Sequence, residues 1–196
     1  FSSEQTRHAL GIAASMASGI KTQFGTMGKP LHAGLAAHAG VDAALLASDG
    51  FVSTYDGLEG EQGFSPTHYG AGDTGAFDGL GDDFVFERVS HKFHACCHGI
   101  HATLEALAIL RERYSVQPEE IAELVIIVNP QYLNVCNIMS PVTGLEAKFS
   151  YRLVAAMFMH GHDTARIETY NDMICQDKHV LRLREKVIVS TDVAIS

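Results

Sequence analysis

The apolar residues of this chain fall first into a helical rhythm. Leu10, Ala13, Ala14 and Ala17 recur at three- and four-residue spacing behind Ser2 and Gln5, a pair that fits a capping box, and Gly19 supplies a stop. A second and longer helix is predicted from Pro30 to about Ser48, because proline suits an early helical position and Gly50 lies just beyond its end. Ala33, Ala36, Ala37, Gly40 and Ala44 share one region of its surface, where absent bulk lets another backbone approach. The pattern therefore predicts a helix buried between helices.

The rhythm then breaks. From Asp56 to Asp83 the chain is rich in glycine and poor in apolar residues, which predicts a long loop with short helices around Gln62 and Phe77 and a crossing between domains. Phe84, Phe86 and Val89 read as a short strand, Ile100, Leu104, Leu107 and Tyr114 as a helix, and Leu124 to Asn129 as a second strand. After a turn at Pro141-Val142-Thr143-Gly144, a stripe of Leu145, Phe149, Leu153, Ala156 and Met157 predicts one helix that returns to the helical part. Arg166 to Ile174 reads as a further helix, and Lys186 to Ser190 as a strand added to the small sheet. The expected fold is multidomain: part of an all-helical domain with its crossover loop (1–83), a small α+β domain with a short β-sheet (84–140), a returning helix (141–165) and the final part of the α+β domain (166–196). No internal repeat or low-complexity tract appears.

Composition narrows the class. With 196 residues, 46% of them hydrophobic and 19% charged, the chain can bury one core or two smaller ones, and its abundant Ala and Gly favour close helix contacts. A net charge of −9 without any run of Lys or Arg argues against a nucleic-acid partner. The longest apolar runs, Leu124 to Val128 and Val154 to Met159, fall far short of the roughly 20 residues that span a bilayer, and no signal peptide is evident. Cys96, Cys97, Cys136 and Cys175 form no disulfide framework, so a reducing, cytoplasmic setting is expected. Phe1 in place of Met and a strand-like run just before Ser196 suggest an excerpt of a longer protein.

Two segments carry groups suited to chemistry. Gly25-Thr26-Met27-Gly28-Lys29-Pro30-Leu31-His32 places a glycine-rich turn, a Lys and a His at a helix start, where free N–H groups and the helix dipole favour an anion. A Walker A phosphate loop is excluded because Pro30, not Ser or Thr, follows the Gly-Lys pair. The plain structural alternative is a solvated Lys29 and a packed His32. The second segment, Lys92-Phe93-His94-Ala95-Cys96-Cys97-His98-Gly99-Ile100-His101, lies between a predicted strand and a predicted helix. Cys97 and His101, four apart, and His98 and His101, three apart, can face one pocket, where His101 could act as acid or base. Zinc bound by Cys96, Cys97, His98 and His101 is the competing reading, and buried thiols with satisfied histidines the structural one. No second CxxC or HxxxH pair supports the metal, so none is expected.

Three segments together resemble the MmgE/PrpD family: Gly25 to Gly34 with Leu58-Glu59-Gly60 after it, Lys92 through Cys97 to His101, and Thr143-Gly144-Leu145-Glu146-Ala147-Lys148-Phe149-Ser150. The likeness covers nearly the whole chain. It implies a large all-helical domain joined to a smaller α+β domain, and enzymes that act as lyases or isomerases on small polycarboxylic acids without cofactor or metal. By match of motif it places Lys29, His32, Lys92 and His101 in one pocket, with Cys97 at a position that varies among members; catalytic roles are expected for Lys29, Lys92 and His101, and substrate contacts for His32, Cys97 and Gly28. It further implies a homodimer of the full-length protein. Full-length members are longer and supply acidic and His residues upstream, so the resemblance marks this chain as an internal fragment, with little activity and limited stability expected alone. The apolar faces of the first helix and of Leu145 to His160 are expected to pack on those upstream helices. His94 stands where many members carry an aromatic residue or proline, so the substrate is expected to differ from theirs.

Overall fold

Ser2 begins helix α1 (Ser3–Met16) through the predicted capping box: its hydroxyl accepts from the Gln5 N–H at 3.1 Å, and the Gln5 side chain accepts from the Ser2 N–H at 2.9 Å. The computed structural model describes residues 1–70 and 73–195. They form two units, Phe1–Ile20 with Gly28–Val89, and Lys21–Met27 with Ser90–Ser196.

In the first unit α1 packs against α2 (Gly28–Ser48) around Ile12, Ala43 and Ala47. Buried His8 fastens the following chain, since the Ser53 hydroxyl donates to its carbonyl at 2.8 Å. The expected burial of the small-residue face of α2 is not seen. Ala33, Ala36, Ala37 and Gly40 are exposed and Ala44 is half-buried, and a Cβ built at Gly34 or Gly40 would meet nothing within 4 Å. Within this unit α1 reaches only the Ala43/Ala47 side, so the remaining surface of α2, with Leu31, Val41 and Leu45, faces outward. The glycine-rich segment holds α3 (Phe64–His68) and a 3-10 turn at Thr74–Phe77, close to the two short helices expected. The strand expected at 84–89 is instead a 3-10 turn, Val85–Arg88. Phe84, Phe86 and Val89 are exposed, so alternation there has no buried face and no partner strand to select a β conformation.

The second unit is built around a parallel pair, β1 (Leu124–Val128) and β2 (Val187–Thr191), with Leu124 opposite Val187 and Val128 opposite Thr191. Parallel strands need a long connection. Helix α4 (His101–Tyr114) precedes β1, and the connection contains α5 (Pro130–Cys136), α6 (Gly144–Ala147), α7 (Tyr151–Met159) and α8 (Lys178–Arg184). The stripe read as one helix is two, because Ser150 ends one and caps the next: its hydroxyl accepts from the Leu153 N–H at 3.2 Å, and it bridges Asn137. Arg166 to Ile174 holds short 3-10 turns, Ile167–Thr169 and the start of Ile174–Gln176, rather than a helix.

Helix α7 is central. Tyr151 and Leu153 to Met157 are fully buried, and the helix packs on α4, α8 and β2. Segment 141–165 therefore belongs to the second unit instead of returning to the first, and its apolar face is already covered within this chain. A mostly helical chain with a small two-stranded sheet is the fold class expected from the sequence. Among the described residues no helix is long and apolar enough to cross a membrane.

Candidate active site

The segment leading into α4 is pinned to the second unit by its backbone. The Ala95 N–H donates to the Thr164 carbonyl at 2.8 Å and the Cys97 N–H to the Lys148 carbonyl at 2.9 Å. Gly99 then allows a close approach, because a Cβ there would lie 2.9 Å from the Tyr132 ring and 3.2 Å from Cys136 Sγ. Tyr151, wholly buried, donates its hydroxyl to the Gly99 carbonyl at 2.8 Å and locks that turn from beneath.

These ties set His101 at the first position of α4, with its ring centre 5.2 Å from that of His94, edge-on, and 5.3 Å from that of His98. Lys92 extends its ammonium to the Cys96 carbonyl at 3.2 Å. His101 Nε2 is buried and has no hydrogen-bond partner among the described residues. Burial lowers the His101 pKa below the ordinary histidine value of 6.5, and His94, His98 and Lys92 lower it further by disfavouring another positive charge; a hydrogen bond to the His94 backbone opposes them. Among the described residues Nε2 has no partner, so it is the ring nitrogen left open for proton transfer. The ring borders a groove of about 480 Å³ whose other walls include Ala106, Leu110, Ile127 and Tyr132. His101 can therefore accept a proton near neutral pH at the edge of an apolar groove.

A proton NMR titration is expected to show the His101 ring titrating below 6.5. A midpoint at or above that value would contradict the environment described. Because folding lowers this pKa, the unfolded chain takes up the proton first, so the stability tied to the neutral ring is present above about 6.5 and fades as pH falls toward the folded value.

The cysteines are poor ligands and nucleophiles as placed. Burial pushes the Cys96 thiol up to about 11. Burial, together with Asp172 and Glu146, pushes Cys175 up to about 11. A hydrogen bond with Cys97, then burial, pushes Cys136 far up as well. Neutral, enclosed thiols of this kind are structural. Cys97 is half-buried beside them. Among the described residues no group of three or more His, Cys, Asp or Glu side chains is arranged to hold a metal ion.

The other candidates lie in the first unit, at the start of α2. Lys29 is exposed, while Gly28 and His32 are half-buried. Gly19, in the left-handed region at φ +123°, lies against His32, where a Cβ would come within 3.3 Å of Nδ1. The structure thus brings Lys92, Cys97 and His101 into one unit and Gly28, Lys29 and His32 into the other.

Family comparison agrees with this division. The MmgE/PrpD N-terminal domain matches residues 1–75, and the MmgE/PrpD C-terminal domain matches residues 94–196. The chain belongs to the MmgE/PrpD family. Within the MmgE/PrpD matches, Gly28, Lys29 and His32 fall in the N-terminal domain and Cys97 and His101 in the C-terminal one, with Lys92 two residues before its start. The chain is similar to a cis-aconitate decarboxylase-like protein, oryM, of Aspergillus oryzae, at 32% identity over 122 residues, 58% of this chain and 25% of the relative. It is similar to cis-aconitate decarboxylase of Homo sapiens at 29% over 197 residues, 95% of this chain and 40% of the relative. A third relative, cis-aconitate decarboxylase of Aspergillus terreus, is 31% identical over 115 residues, 54% of this chain and 24% of the relative. The chain spans at most 40% of the length of these curated relatives.

Sequence reasoning missed the residues that surround the His94 ring. Thr164 Oγ1 lies 2.9 Å from His94 Nδ1 across a gap of 70 positions, which leaves no local signal. Glu105 did have one: it follows His101 by four residues and so shares its helix face.

Proposed function

We propose that this protein is, or forms part of, a lyase acting on a small di- or tricarboxylic acid, with His101 moving a proton next to a carboxylate. The observation that carries this reading is the buried Nε2 of His101, without a hydrogen-bond partner among the described residues, in a ring whose pKa is lowered by burial and further by neighbours that include the Lys92 ammonium. A base there can take a proton from carbon next to a carboxylate, and a nearby cation stabilises the resulting enediolate charge. Lys92 and Lys29 would bind substrate carboxylates, and His32, Gly28 and Cys97 would contact the substrate. Family membership supports a lyase or isomerase.

Dehydration of a 2-methylcitrate-type acid and decarboxylation of cis-aconitate use the same groups. The names of all three relatives make cis-aconitate the second acid to test. Epimerisation is the remaining alternative within the family. The intact protein, which we propose is a cytoplasmic homodimer, should be incubated with 2-methylcitrate and cis-aconitate while unsaturated product is followed by ultraviolet absorbance and carbon dioxide by trapping. Turnover of either acid supports the reading; turnover of neither overturns it.

A further inference from the structure

His101 is not the only imidazole at this place with a nitrogen left over. His94 is 14% exposed, and its Nε2, like that of His101, is buried without a hydrogen-bond partner. Its orientation is fixed from the far side. Nδ1 meets the Thr164 hydroxyl at 2.9 Å, and buried Thr164 is itself held because its carbonyl accepts from the Ala95 N–H at 2.8 Å and from the Tyr170 hydroxyl at 3.1 Å. Glu105 Oε1 stands 3.5 Å from His94 Nε2, too long for a good hydrogen bond but close enough to be counter-ion to a protonated ring. A buried polar atom without a partner costs free energy, so two of them on neighbouring rings require an explanation.

Resting on the lyase reading above, we infer that His94 and His101 form an acid–base pair on one substrate, with His101 the base and His94 the acid. The two rings differ in the way that division of labour requires. His101 has nothing beside Nε2 to hold a proton there, whereas a proton on His94 has Glu105 as counter-charge and Thr164 Oγ1 as acceptor for Nδ1–H. The charged groups around the pair are Lys92, His98 and Glu105. In an elimination, His101 Nε2 takes the proton from the carbon next to a carboxylate. The C–H electrons form the new double bond, the C–O bond breaks, and His94 Nε2–H protonates the departing oxygen so that it leaves as water. His101 ends cationic and His94 neutral, and proton exchange with solvent resets both. Dehydration of a β-hydroxy polycarboxylate needs both a base and an acid, so that reaction is the one that tests the pair.

The test uses His94→Gln and Glu105→Gln in the intact protein, with 2-methylcitrate as the probe. Three quantities are read: net turnover, exchange of the substrate's carbon-bound proton in heavy water by NMR, and the pH–rate profile. His94→Gln should retain proton exchange through His101, lose about a hundredfold or more in elimination, and lose the alkaline limb of the profile. Glu105→Gln, a change at an exposed side chain, should slow elimination by removing the counter-charge of the acid while proton exchange continues. Unchanged turnover and profile in both variants would overturn the pair and leave the lyase reading standing. Loss of exchange together with turnover in a His94→Gln protein that melts like the parent would also overturn the assigned roles. Absence of any turnover in the unaltered protein, by contrast, would sink the underlying reading.

Discussion

Replacing His101 with Gln is expected to cut turnover of the polycarboxylate substrate by about a hundredfold to ten-thousandfold, with little change in melting temperature. Glutamine is polar and of similar reach, so it can occupy the place of the ring at the start of α4. It cannot accept a proton in the pH range where the reaction runs, so the proton-transfer step alone is removed. Carboxylate binding, assigned to the lysines, should persist, and the loss should appear in kcat more than in KM. Activity close to that of the parent would remove His101 from the chemistry and leave the groove beside α4 without a catalytic group.

The largest effect on stability is expected from Gly144→Ala. Gly144 is buried at the first position of α6, and its N–H donates to Asp172 Oδ1 at 2.9 Å. A Cβ there would lie 2.2 Å from the Tyr170 carbonyl oxygen and 2.7 Å from the Asn171 Cα. Those are backbone atoms, which cannot rotate away as a side chain would. The 170–171 segment must shift, and overpacking of this kind costs about 3 kcal/mol. For a chain of this size that lowers the melting temperature by roughly 6–12 °C. The displacement would also reach Thr164 through the Tyr170 hydroxyl. A melting curve that superimposes on that of the parent would show that the close approach at Gly144 is not as described.

Where the sequence could be read, a local cause was at hand. The capping box of Ser2 and Gln5, the end of α2 before Gly50 and the two apolar runs that became β1 and β2 each depend on neighbours in the chain. The expectations that failed depended on distant partners. Phe84 and Phe86 alternate like a strand, yet among the described residues no second strand comes to pair with them. The stripe from Leu145 to Met157 has helical spacing, but Lys148 to Ser150 leave the helix to satisfy Cys97 and Asn137, contacts that sequence spacing does not reveal. The same holds at the site. Lys92, Cys97 and His101 were legible as a cluster because they lie within one turn-and-helix segment, whereas Thr164, which fixes the His94 ring, comes from far along the chain. Membership of the MmgE/PrpD family was legible from its motifs and is shown by the domain matches.

The short strip Lys21–Met27 belongs to the second unit although the chain on both sides of it belongs to the first. Phe24 sets its ring 5.4 Å from that of Phe149, and Gly25, in the left-handed region at φ +87°, lies against Ile138 and Glu146. The polypeptide therefore passes from one unit to the other three times. Dissecting the gene at the Val89–Ser90 border would yield a downstream half robbed of a stitch, with Phe149 newly wetted, while the upstream half would carry away seven residues folded for someone else. Any attempt to study the His101 unit by itself would have to graft that strip back on.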